Sequence, residues 1–186
     1  MLRKLELPKQ LSEIFGQYAQ GVIDGKYGSY PEVEKSKYDP LAMVSPYMLD
    51  RLIQRAGDVT NCLELTFFEI RNVRECMGAE NYDALVKWIS AQHGSESRQS
   101  GSFWYPPKAH MGWHTNNDHE GIRTYLSFSE TGDSFFRYVL DGNVITDQDP
   151  KGVCCRSFRV SKVKPLWHCV YSDTNRISLG FNNAIV

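Results

Sequence analysis

Phe135-Phe136-Arg137-Tyr138-Val139-Leu140-Asp141-Gly142-Asn143-Val144-Ile145-Thr146 reads as a β-hairpin. Its arms are rich in aromatic and β-branched residues, which suit a pleated, half-buried surface. Gly142 supplies the positive φ that a primed hairpin turn demands. The same rhythm extends in both directions. Candidate strands are Ser102–Tyr105, Met111–Thr115, Ile122–Ser129, Phe135–Leu140, Val144–Thr146, Val153–Val160, Trp167–Tyr171 and Arg176–Phe181. Thr131-Gly132-Asp133 and Asp149-Pro150-Lys151-Gly152 carry turn chemistry between them. Roughly eight short strands punctuated this way predict a double-sheet jelly roll.

The first hundred residues differ. Leu11, Ile14, Phe15 and Tyr18 recur at helical spacing after Pro8. Pro46 opens a second helix through Leu49, Leu52 and Ile53, with Gly57 just beyond it. Leu85, Trp88 and Ile89 share one face of a helix over Asn81–Gln92. Gly25–Asp39 reads as a long loop, and Leu63–Ile70 fits strand or helix. Gly94-Ser95-Glu96-Ser97-Arg98-Gln99-Ser100-Gly101 is polar and small, which predicts a loop. The expected organisation is a helical extension over residues 1–100, packed on one face of a β core over 101–186. The two form one compact domain.

Composition narrows the classes. At 41% hydrophobic and 12% aromatic the chain can build a real core. A net charge of −1 argues against a basic nucleic-acid binder. No run of about 18 apolar residues exists, so no membrane span is expected. Met1–Pro8 has no apolar core of a secretory signal. The five cysteines include no CxxC pair. That disfavours zinc and fits reduced thiols in the cytoplasm.

Two histidines stand in strand patterns. His114 lies in Gly112-Trp113-His114-Thr115-Asn116 and His168 in Leu166-Trp167-His168-Cys169. Imidazoles from different strands can converge inside a barrel, and Asn116 shares a face with His114. Arg176 sits in the apolar strand Asn175-Arg176-Ile177-Ser178-Leu179-Gly180-Phe181. Buried there it needs a carboxylate, either an internal aspartate or a bound anion. Ser178 shares its face and can donate to the same anion.

These residues make the chain resemble the iron(II)- and 2-oxoglutarate-dependent dioxygenases. The resemblance covers roughly Phe103 to Phe181. It is nearest to short oxygenase-like proteins of phages and bacteria, through Tyr105-Pro106-Pro107, Gly112-Trp113-His114-Thr115-Asn116 and the run from Trp167 to Phe181. The resemblance implies a double-stranded β-helix, a jelly-roll variant. It implies iron(II) on His114 and His168, and 2-oxoglutarate with its distal carboxylate on Arg176 and Ser178. Tyr105 or Tyr125 would add a hydroxyl at that end, and Arg123 would serve the substrate. The implied reaction is hydroxylation of an unidentified small molecule, side chain or base, releasing succinate and carbon dioxide.

One position departs from the pattern. The family motif is His-x-Asp or His-x-Glu, and here the third place is Asn116. Asp118 could supply the acid by turning back from the loop. Asn116 could ligate through its oxygen or orient a water. The place could also stay open, as in related halogenases, although Asn is larger than the Ala or Gly used there. Asp118 is the preferred third ligand, with Asn116 as its alternative. The departure also keeps a different class in view: a catalytically silent jelly-roll binding module that retains the 2-oxoglutarate pocket.

Overall fold

The computed structural model of the chain describes residues 2–28, 37–56, 66–116 and 120–184. The first half holds β1 (Arg3–Leu5), α1 (Lys9–Ile23), α2 (Pro40–Met43), α3 (Pro46–Ala56), β2 (Phe68–Glu69), α4 (Val73–Met77) and α5 (Ala79–His93). Strands follow: β3 (Ser97–Tyr105), β4 (Ala109–His114), β5 (Gly121–Ser129) and β6 (Ser134–Leu140). The last are β7 (Asn143–Gln148), β8 (Gly152–Val160), β9 (His168–Ser172) and β10 (Arg176–Asn183). They build two antiparallel sheets, ordered β1-β8-β5-β10-β3-β2 and β4-β9-β6-β7. The fold is mainly β, a jelly roll consistent with a double-stranded β-helix.

Strand alternation assigns each side chain to a layer. Leu126, Cys155, Ile177, Leu179 and Phe181 leave the larger sheet on its outer side, where they meet Phe15, Val22, Val73, Leu85 and Ile89. Tyr105, Phe136, Phe158, Val160 and Val170 form a second cluster between the sheets. Val44, Leu49 and Leu52 cover Trp113, Trp167, Cys169 and Tyr171 on the outer side of the smaller sheet. Helices therefore do not all gather on one face. α1, α4 and α5 pack on the larger sheet as expected, whereas the segment of α2 and α3 covers the smaller one. The two tryptophans that flank the site histidines demand that cover.

The opening hairpin forms as read. Leu140 pairs with Asn143, and Asp141 (φ 48°) and Gly142 (φ 80°) make the primed turn. The run 94–101 differs from its expected loop. α5 stops at Gly94 in the left-handed region, and β3 already begins at Ser97. Polar residues are at home there because Asn183 Nδ2 donates to the Ser95 carbonyl (2.9 Å) and to Ser97 Oγ (2.6 Å). Gly121 opens β5 where a Cβ would stand 2.5 Å from the Asn183 carbonyl oxygen. Glycine thus lets β5 start close against β10. Of Leu63–Ile70, residues 63–65 lie outside the described residues, as do 29–36 of the long loop and Gly57. Phe68–Glu69 is strand. Among the described residues no helix is long and apolar enough to cross a membrane.

Candidate metal centre

A β-bulge aims His114. On β4, Ala109 and Met111 pack into the cluster between the sheets. Regular alternation would send Trp113 inward after them. The register instead passes from Met111↔Val170 to His114↔His168, three steps on β4 against two on β9. The extra residue reverses the parity, as bulges do. Trp113 goes outward, fully buried, with Nε1 donating to the Ser45 carbonyl (2.8 Å). His114 turns in, directly across from His168.

The two imidazoles lie with ring centroids 4.1 Å apart, tilted by 55°. Both are buried. His114 Nδ1 is 2.8 Å from the Gly112 carbonyl and His168 Nδ1 is 2.9 Å from that of Leu166. A carbonyl only accepts, so Nδ1 carries the proton in each ring. Nε2 then carries the lone pair of each ring, the atom through which a neutral imidazole can bind a metal. Burial pushes both pKa values down, His168 the further because a charge on it would stand against a protonated His114 and against Arg123. Both rings are neutral at neutral pH, the form a metal takes.

Asn116 meets this pair. Its Nδ2 lies 2.8 Å from Tyr125 Oη and 3.2 Å from His168 Nε2. The Tyr125, Phe136 and Phe158 rings surround His168 at centroid distances of 6.2, 5.3 and 5.4 Å. Asp118 lies outside the described residues. Among those described, no three His, Cys, Asp or Glu side chains group to hold a metal. The donor set present is two neutral imidazoles and one amide.

Arg176 meets the internal aspartate that its sequence context allowed. Its Nε donates to Asp149 Oδ2 (2.8 Å) and its Nη2 to Ser127 Oγ (2.8 Å). Its Nη1, also buried, has no hydrogen-bond partner among the described residues. An internal aspartate thus takes one edge of the guanidinium, and Ser127 takes part of the other. Ser127 pairs with Ser178 across β5 and β10, and Tyr125 pairs with Gly180. The guanidinium therefore sits one same-face step from Tyr125, ~7 Å along the strand. Tyr125 in turn touches the amide and ring of the histidine end.

Asp149 is a hub that sequence reading treated as part of a turn. Besides Arg176 it accepts Arg156 Nη1 (2.6 Å) and Ser134 Oγ (2.6 Å). Arg156 Nε donates to Asp147 Oδ2 (2.5 Å), which Lys4 also reaches (2.8 Å, to Oδ1). Two buried guanidiniums thus share one carboxylate that has no solvent exposure. Arg156 and Asp149 are neighbours of Arg176 that no sequence motif singles out. The only signal was a second arginine in an apolar strand, Cys154-Cys155-Arg156-Ser157-Phe158.

This hub has a pH consequence. Burial alone would raise the Asp149 pKa, but Arg176 and Arg156 outweigh it and hold the carboxyl well below its ordinary 3.8. The unfolded chain then takes up the proton first as pH falls. The contribution is complete above about pH 3.8 and is lost as pH falls through the folded value. Urea midpoints measured from pH 6 to 2.5 should drop below pH 4. Asp149→Asn should show a shallower drop.

Of the other expected residues, Tyr105 is buried beneath Arg176, whose Cζ stands 5.3 Å from its ring centroid. Its Oη is 3.9 Å from Met111 Sδ. Ser178 shares the inner face with Arg176. Arg123 is buried on the inner face of β5, near enough to depress His168. The chain thus brings His114, His168, Asn116 and Tyr125 together at one level, and Arg176, Ser127 and Tyr105 at the next.

No family model matches this chain, and no curated protein does. Solved structures do resemble it. A prolyl-4-hydroxylase from Pseudomonas putida aligns over 99% of this chain and 91% of its own, at 14% identity and TM-score 0.50. A prolyl hydroxylase from Trichoplax adhaerens, in complex with a hypoxia inducible factor oxygen degradation domain peptide fragment, aligns over 98% and 83%, at 12% identity and TM-score 0.57. AviO1 from Streptomyces viridochromogenes aligns over 98% and 89%, at 11% identity and TM-score 0.50. At these identities the likeness establishes the fold.

Proposed function

We propose that the chain is an iron(II)- and 2-oxoglutarate-dependent oxygenase that hydroxylates its substrate. The observation that carries this is the pair of neutral histidines with Nδ1 fixed, one step from a buried guanidinium whose Nη1 lacks a partner among the described residues. Neutral imidazoles suit iron(II). An orphaned buried N–H is costly, and an anion relieves it. The likeness to two prolyl hydroxylases supports hydroxylation as the class of reaction.

His114 and His168 would hold the metal, with an oxygen ligand as third donor. Arg176 would hold the distal carboxylate of the co-substrate end-on, with Ser178 and Tyr105 beside it. Bound iron(II) and 2-oxoglutarate supply the oxidation, with succinate and carbon dioxide as co-products. Everything else is the protein's part. The backbone carbonyls of Gly112 and Leu166 set the tautomers. Phe136, Phe158 and Tyr125 exclude water around His168. Asp149 and Ser127 fix the plane of the Arg176 guanidinium. Arg123 stands on the substrate side.

Anaerobic addition of iron(II) and 2-oxoglutarate should give a visible charge-transfer band that His168→Ala abolishes. Admission of oxygen should release succinate without added substrate. No band and no thermal shift with the pair would overturn this reading. Asn116, where an acid is usual, favours a second reading: a silent module that binds the pair. It predicts the thermal shift without succinate.

A further inference from the structure

We propose that Asn116 completes the metal site through Oδ1 and that Tyr125 is the positioning residue that holds the amide in that orientation. This rests on the two-histidine metal site proposed above. It differs from the preference for Asp118 drawn from sequence spacing.

The argument starts from the protonation of His168. With its Nδ1–H committed to the Leu166 carbonyl, Nε2 presents a lone pair. Only a donor can approach it, and the approaching atom is Asn116 Nδ2 at 3.2 Å. The amide N–H thus lies against the lone pair a metal would use. It also donates to Tyr125 Oη at 2.8 Å. In this orientation the amide N–H covers the coordinating face of His168.

A half-turn about the Cβ–Cγ bond of Asn116 exchanges Nδ2 with Oδ1. Such sp³–sp² torsions are broad and roughly two-fold, so the exchange needs no backbone movement. Oδ1 then takes the place of Nδ2 beside His168 Nε2. Tyr125 is suited to both states. Its hydroxyl accepts from Nδ2 in one orientation of the amide and donates to Oδ1 in the other. A phenylalanine could do neither. The inner face of β5 thereby gives Tyr125 a role at the metal end, away from the distal carboxylate.

Charge sets the consequence. An amide oxygen is a neutral donor, so the loaded centre carries one positive unit more than a His-His-carboxylate set. The metal is held less tightly, and an anionic chelator on it more tightly.

Cobalt(II) titration tests this without turnover, read by visible absorption and by competition with a chelator. His114→Ala and His168→Ala should abolish binding. Asn116→Ala should weaken it about 10–100-fold, and Tyr125→Phe by about tenfold with a changed band shape. Asn116→Asp should bind more tightly than the parent, and Asp118→Ala should match the parent. Thermal midpoints confirm that each variant is folded. The inference is overturned if Asn116→Ala and Tyr125→Phe stay within twofold of the parent. It is equally overturned if Asp118→Ala abolishes binding, or if Asn116→Asp binds no better. Should the histidine variants keep full affinity, the two-histidine site itself fails, and the inference with it.

Discussion

Asp149→Ala will lower the unfolding free energy by about 3–5 kcal/mol. The reason is geometric. Asp149 is fully buried and its two oxygens serve Arg156, Arg176 and Ser134, from β8, β10 and β6. It is the carboxylate on which both guanidiniums converge and it ties the two sheets together. Removal leaves Arg176 on Ser127 alone and Arg156 on Asp147, and strands positive charge away from water. A surface ion pair would cost far less, typically under about 1 kcal/mol. Arg74–Asp83, more than half exposed on both sides, is the internal control. Asp149→Asn keeps the shape but not the charge, and its NH₂ must face an arginine N–H. It should lose most of the same stability. Urea melts at pH 7 check all three. A loss under 1 kcal/mol for Asp149→Ala would show that water or a neighbouring carboxylate takes over.

The aromatic and β-branched content of Phe135–Leu140 and the Asp-Gly turn made the fold legible, because strand composition and turn chemistry are local. Ile177, Leu179 and Phe181 likewise announced one face and Arg176 and Ser178 the other. What stayed hidden was set by tertiary pairing. The bulge before His114 has Gly112 as its one local trace in Met111-Gly112-Trp113, and its register is defined only against β9. Ser97–Gly101 is polar enough to read as loop, and becomes strand because β10 lies alongside. Asp149 looks like a turn residue until Arg156 and Arg176 are placed beside it. The site was legible in its histidines and its arginine. Its amide–phenol contact was not, as Asn116 follows the end of β4 and Tyr125 stands in the middle of β5.

The bulge has its own test. Trp113→Ala will cost about 3–5 kcal/mol, the range for deleting a large buried aromatic. Trp113 has no exposure and sits among Val44, Leu49, Leu52, Trp167 and Tyr171. Its indole N–H also fixes Ser45, between α2 and α3. The same side chain holds the parity of β4. With Trp113 anchored outward, His114 must face inward. Without the anchor, the bulged register loses its main packing advantage over the regular one, which would carry position 113 inward and His114 out. Trp113→Ala should therefore weaken cobalt(II) binding even under conditions where the variant is fully folded. Trp113→Phe keeps the outward anchor and loses one hydrogen bond, worth about 0.5–1.5 kcal/mol. It should retain the metal affinity of the parent. Equal affinity in the folded alanine variant would mean that the register is fixed by the strand pairing alone, with the tryptophan serving only the helical cover.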